Sequence, residues 1–140
     1  MATLSPYLNF RNSTREAIEF YHSVFGGTLD INTFADFGVQ VEPSESGLVM
    51  HSQLETPSGF TIMAADVPSH MAWSQGENTF SVSISGSDAE KTELTGYFDK
   101  LAEGGEVAQP LTASPWDATF GMLTDRFGVN WLVNIAGPES

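Results

Sequence analysis

The sequence predicts an α+β fold: two tandem βαβββ modules forming a concave, mostly antiparallel sheet. Three features predict it, and each occurs once in either half. They are a Ser-x-x-Glu helix start, a Gly-Gly pair at the helix end, and a tight turn ending in Gly between the last two strands. A βαβββ unit leaves one sheet face uncovered, and pairing two units, within one chain or across a dimer, covers it.

The helix starts are Ser13-Thr14-Arg15-Glu16 and Ser87-Asp88-Ala89-Glu90, both capping boxes by sequence. Apolar residues follow at helical spacing: Ala17, Phe20, Tyr21 and Val24 in the first, Leu94, Tyr97, Phe98 and Leu101 in the second. Gly26-Gly27 and Gly104-Gly105 then supply helix stops. The caps Ser13 and Ser87 lie 74 residues apart and the stops Gly26 and Gly104 lie 78 apart. The second helix is therefore expected to be longer by about one turn, which preserves its buried face.

Strand signals repeat too. Tyr7-Leu8-Asn9-Phe10 precedes the first helix, and Phe80-Ser81-Val82-Ser83-Ile84, with its period-two alternation, precedes the second. After the first helix, Leu48 to Glu55 turns through Thr56-Pro57-Ser58-Gly59 into Phe60 to Ala64. After the second, Trp116 to Thr124 turns through Asp125-Arg126-Phe127-Gly128 into Val129 to Ile135. Phe37 to Ser46, Asp66 to Glu77 and Gln109 to Pro115 read as irregular. A single domain is expected, with module one at about 1–66, a crossover loop at about 67–77 and module two at about 78–137.

Composition narrows the function classes. A chain of 140 residues, 41% of them hydrophobic, can bury a core without a disulfide or metal. The absence of Cys removes disulfides, thiolate metal sites and a cysteine nucleophile. Five basic residues against eighteen acidic ones give a net charge of −13, which argues against nucleic-acid and anionic-membrane partners. No apolar run approaches the ~18 residues of a membrane span. The opening Met1-Ala2-Thr3-Leu4-Ser5-Pro6 has no basic region followed by an apolar stretch, so a cytoplasmic location is expected.

Two segments carry a family resemblance. Pro6 to Phe10 with Arg15 to Tyr21 and Val24 to Gly27 resembles the opening of PhnB-like proteins, and Phe120 to Asn134 resembles their ending. The resemblance spans nearly the whole chain. It implies the vicinal-oxygen-chelate superfamily, the glyoxalase/bleomycin resistance/extradiol dioxygenase group, and it implies a homodimer. PhnB-like proteins are often labelled as relatives of a demethylubiquinone methyltransferase. This sequence has no Gly-rich loop after a first strand and no alternating βαβ run long enough for a methyl-donor domain.

Enzymes of that superfamily hold a divalent metal with His, Gln or Glu near the ends of four strands, leaving positions open for an oxygen substrate. The resemblance puts the last ligand four residues after the final turn Gly, which is Leu132, and its counterpart in the first half at Met63. The remaining two fall near Ser5 or Pro6 and near Thr79 or Phe80. Leu and Met cannot replace carboxylates on a hard or borderline cation. No metal and no cofactor is expected.

Other residues are weighed between structural and functional roles. His22 lies off the first helical stripe and reads as a solvated surface residue. His70 sits in the crossover loop beside Met71 and Trp73. If Thr56 pairs with Gly59, Ser52 lies opposite Met63 on the pocket face and His51 points away; a one-residue bulge reverses this and brings His51 to the pocket. Trp131 reads as core. Trp116 reads as a strand opener that could rim the pocket, and Trp73 as cover for the pocket or for a dimer seam.

The leading expectation is a metal-free binding protein whose cleft, with His51, Ser52, Met63, Trp116 and Leu132 as candidate lining, holds a small apolar or amphipathic organic ligand. The alternatives are an enzyme of the same fold (isomerase, transferase or dioxygenase type) using His51 or a metal at non-standard positions, and a structural module with a filled cleft.

Overall fold

The computed structural model describes residues 4–74, 76, 80–113 and 118–137. Trp116 and Thr79 lie outside the described residues. The chain divides into two compact units, Met1–Gln75 and Gly76–Ser140.

The first unit holds β1 (Tyr7–Phe10), α1 (Thr14–Phe25), β2 (Thr28–Thr33), β3 (Val49–Glu55) and β4 (Thr61–Asp66). The second holds β5 (Val82–Gly86), α2 (Lys91–Ala102), β6 (Glu106–Ala113), β7 (Thr119–Thr124) and β8 (Asn130–Ile135). The sheets have equivalent orders, β1-β4-β3-β2 and β5-β8-β7-β6. In each, the strand before the helix runs parallel to the last strand and the other two pairings are antiparallel. The βαβββ repeat is thus present as an α+β fold.

The cores follow the helical stripes. In unit one, Ala17, Ile18, Tyr21, Val24 and Phe25 of α1 are buried, as are Leu54, Ile62 and Ala64 on the strands it packs against. Phe25 meets Phe60 edge to face, with centroids 5.3 Å apart. In unit two, Leu94, Phe98 and Leu101 of α2 are buried, with Leu123, Trp131, Val133 and Ile135 on the strands. Each of the Val, Leu, Ile and Phe side chains among them contributes roughly 1.5–3 kcal/mol by burial.

The Gly-Gly pairs act alike in both units. Gly26 and Gly104 take positive φ, 72° and 75°, which turns the chain out of the helix. Gly27 and Gly105 then pass so close to the backbone at the ends of β3 and β7 that a Cβ would overlap the carbonyl oxygens of Glu55 and Thr124.

Two expectations about the helices change. Both α-helices have 12 residues, and the extra length before α2 is a 3-10 turn, Asp88–Glu90. Ser87 and Glu90 do form a capping box, the Ser87 N–H donating to Glu90 Oε1 at 3.0 Å. Ser13 makes no such bond. Its place is taken by Asp66, whose Oδ1 accepts from the Thr14 N–H at 3.1 Å and Oδ2 from the Val49 N–H at 3.0 Å. This buried carboxylate sits at the positive end of the α1 dipole.

Gln109 to Ala113, read as irregular, belongs to strand β6. Pro110 is tolerated because β6 is a sheet edge, where a missing N–H breaks no ladder. Register shifts between Val107 and Gln109 and between Gln109 and Thr112 mark the same irregularity. The crossover segment folds back on unit one. Arg11 Nη2 donates to the carbonyls of Pro68 and Met71, and Trp73 Nε1 donates to the Asn9 carbonyl at 3.0 Å.

Candidate functional site

The sites follow from how the two hairpins are closed. In unit one the Gly59 N–H donates to the Thr56 carbonyl at 3.0 Å and the Thr56 N–H to the Phe60 carbonyl at 3.0 Å. Unit two repeats this with Gly128 to Asp125 at 3.0 Å and Asp125 to Val129 at 2.9 Å. Gly59 and Gly128 have φ of 93° and 88°. A type I turn followed by a left-handed Gly adds one residue to the loop as a bulge.

That extra residue corrects the β3–β4 register. Gln53, not Ser52, is the partner of Met63, and Ser52 partners Ala64. Ser52 therefore faces α1. It is fully buried, and its hydroxyl donates to the Ala64 carbonyl at 2.7 Å. The expectation that Ser52 shares a face with Met63 is overturned by this register, and a structural role replaces it. His51 instead stands on the open face with Gln53 and Met63, its ring centroid 6.0 Å from that of Tyr7. The bulge weighed as an alternative is the one that forms.

On this open face a row of register partners crosses all four strands: Tyr7 on β1, Met63 on β4, Gln53 on β3 and Asp30 on β2. At about 4.8 Å per strand the row spans about 14 Å. Asn32 stands opposite His51, and Gln53 Nε2 donates to Glu55 Oε1 at 2.9 Å. Unit two presents an equivalent row, Ser83, Leu132, Met122 and Gln109. Met63 and Leu132 are thus matching positions on the open faces of the two sheets.

These neighbours do not suit the superfamily's metal. Beside Met63 stand Tyr7 and Gln53, and beside Leu132 stand Ser83 and Met122, none of these four neighbours an imidazole or carboxylate. Among the described residues no group of three or more His, Asp and Glu is placed to hold a metal ion.

Burial raises the pKa of the Tyr7 hydroxyl above its ordinary value of 10.0. The folded state therefore keeps this proton at a pH where the unfolded chain has released it. The Tyr7 contribution should be constant below pH 10 and should fall as pH rises past it. Urea unfolding from pH 8 upward should show a steeper alkaline decline for the native chain than for Tyr7→Phe.

The other singled-out residues have local roles. His22 is half-buried and its Nε2 lies 2.9 Å from the Gly27 carbonyl, so it braces the helix end rather than standing free in solvent. Trp131 is core, and its Nε1 donates to Asp125 Oδ2 at 2.9 Å. His70 is exposed and lines a surface depression of about 290 Å³ with Gln40, Val41, Glu42, Pro43 and Ser69, none of them a strand residue. Sequence reasoning missed Tyr7, Asp30 and Gln53; a correct turn count at Gly59 would have brought Gln53 to Met63, while Tyr7 and Asp30 are placed by the β1–β4 and β2–β3 pairings.

A βαβββ repeat with an open sheet face on each module defines the glyoxalase/bleomycin resistance/dioxygenase fold. A domain of that description from Frankia shares it with a TM-score of 0.66 at 11% identity, covering 97% of this chain and 98% of its own. The family model for 3-demethylubiquinone-9 3-methyltransferase matches residues 2–134, and the chain belongs to this PhnB-like family. Protein PA1353 from Pseudomonas aeruginosa is similar at 38% identity with a TM-score of 0.80, over 99% of this chain and 100% of that one. The PhnB protein from Bacillus cereus is similar at 25% identity with a TM-score of 0.72, over 96% and 100%. Protein YjdN from Escherichia coli is 27% identical over 94% of each chain. The methyltransferase in the family's description does not find a methyl-donor domain here, since each described sheet has one parallel pair and one helix.

Proposed function

We propose that this chain is a small-molecule-binding protein of the PhnB-like family that holds an apolar or amphipathic organic ligand on its open sheet faces, without the usual divalent metal. One observation carries the reading: Met63 and Leu132 occupy matching open-face positions, where the family resemblance would put metal-ligating acids. A thioether and an isobutyl group offer apolar contact and no hard donor. Further support comes from the Tyr7–His51 ring pair on the same face as Met63. We place the protein in the cytoplasm and read it as a homodimer. No described helix is long and apolar enough to cross a membrane. Sedimentation velocity reads the oligomer: a single species at twice the chain mass supports the dimer, and a monomer at micromolar concentration opposes it.

A thermal-shift screen of small hydrophobic compounds tests the binding. A millimolar ligand at 100 Kd should stabilise the chain by about 2.7 kcal/mol. Met63→Arg should abolish that gain if it arises on the first sheet, and Leu132→Arg if on the second. No shift across a broad library would overturn the reading in favour of a structural module.

A second reading is favoured by the placement of His51. An imidazole on the ligand face, beside a phenol that keeps its proton, could serve as an acid/base in an enzyme of isomerase, transferase or dioxygenase type. His51→Ala should then abolish turnover of any identified substrate with a far smaller loss in its binding; unchanged turnover removes this reading.

A further inference from the structure

We propose that the ligand of the first sheet is an amphipathic organic cation, its apolar body lying on Tyr7 and Met63 and its ammonium end reaching Asp30 and Glu55. This rests on the binding reading above and adds the charge of the ligand to it. The row that crosses the sheet is polarised: an aromatic ring and a thioether at one end, and a carboxylate at the other. Glu55 follows Gln53 on the same face and is tied to it through the 2.9 Å Gln53 Nε2 to Glu55 Oε1 bond, so a second carboxylate stands near Asp30.

Among the described residues of the first unit, no Arg or Lys stands on the strands beside these acids. Of the five basic residues, Arg15 lies on α1, Lys91 and Lys100 on α2, Arg126 in the β7–β8 turn and Arg11 in the turn after β1. Arg11 is committed to the Pro68 and Met71 carbonyls, and Arg126 Nε to the Glu103 carbonyl at 3.1 Å. None stands on an open-face strand position. An anionic ligand on this sheet would meet two like charges and no Arg or Lys of the first unit. A cation at the β2 end of the row would meet two carboxylates. Met63, between Tyr7 and Gln53, suits a flat apolar body.

The probes are tryptamine, indole-3-propionamide and indole-3-propionate, which share the indole and differ in charge. Binding to the full chain is measured by calorimetry at low ionic strength, with the site located by NMR shifts of β1, β3 and β4 amides. Tryptamine should bind roughly fivefold to tenfold tighter than the amide, and the propionate weakest. Asp30→Asn/Glu55→Gln should bring tryptamine down to the affinity of the amide, while Glu19→Gln/Asp99→Asn, the same charge change on the helices, should preserve the preference. Equal affinity for all three probes, or a preference for the propionate, overturns the inference and leaves the binding reading standing. Equal loss in both double variants overturns it as well, since net charge alone would then explain the preference. Binding by none of the three also overturns it, and the broader ligand screen then decides the reading beneath it.

Discussion

Asp125→Ala is expected to lower the unfolding free energy by about 4 kcal/mol, a large part of the ~5–15 kcal/mol that holds a domain of this size. One buried carboxylate closes the β7–β8 turn and anchors the core beneath it. Oδ1 accepts from the N–H groups of Phe127 at 2.8 Å and Val129 at 3.0 Å, and Oδ2 from Trp131 Nε1 at 2.9 Å. Trp131 is among the largest fully buried side chains, so the variant strands its indole N–H away from water. Bonds to a charged acceptor are each worth about 1.5–3 kcal/mol, and a stranded buried donor costs about 1–3. Asp125→Asn should cost about half as much, because its oxygen can keep the two turn bonds while its amide faces the indole donor. Trp131→Phe in the Asp125→Ala background should cost less than in the native chain, and a double-mutant cycle of urea midpoints reads that coupling.

Asp66→Ala is expected to cost about 3 kcal/mol, from the loss of two charge-assisted bonds at buried donors, Thr14 N–H and Val49 N–H. The serines sharpen this prediction. Ser87→Ala should cost about 1 kcal/mol because its capping box is formed. Ser13→Ala should stay within about 0.5 kcal/mol because its side chain caps nothing. Equal losses at the two serines would contradict the cap described for α1.

Local patterns made most of the fold legible. The element order, the strand before each helix and the Gly-Gly stops all follow from spacing within a few residues. Asp66 was not legible as the cap of α1, because it acts across 52 residues and nothing near Ser13 marks it. The site was half legible. Met63 and Leu132 could be counted from the turn glycines, but the face of Ser52 and His51 depended on whether Gly59 closes a four-residue turn or one with a bulge. Thr56-Pro57-Ser58-Gly59 fits a type I turn, and Gly in the left-handed region then adds the residue that exchanges the two faces. Pro110 misled for the opposite reason: a breaker in a central strand is harmless on an edge.

The central claim is a glyoxalase-type fold whose open faces bind organic molecules without the metal its enzymes use. Elemental analysis of the protein, purified without chelators and without metal-affinity resin, tests it most directly. The account predicts Fe, Mn, Co, Ni and Zn all well below one per chain, with an unchanged unfolding midpoint after treatment with a chelator. One equivalent of any of these metals per chain, removable only by chelation and accompanied by a loss of stability, would contradict it.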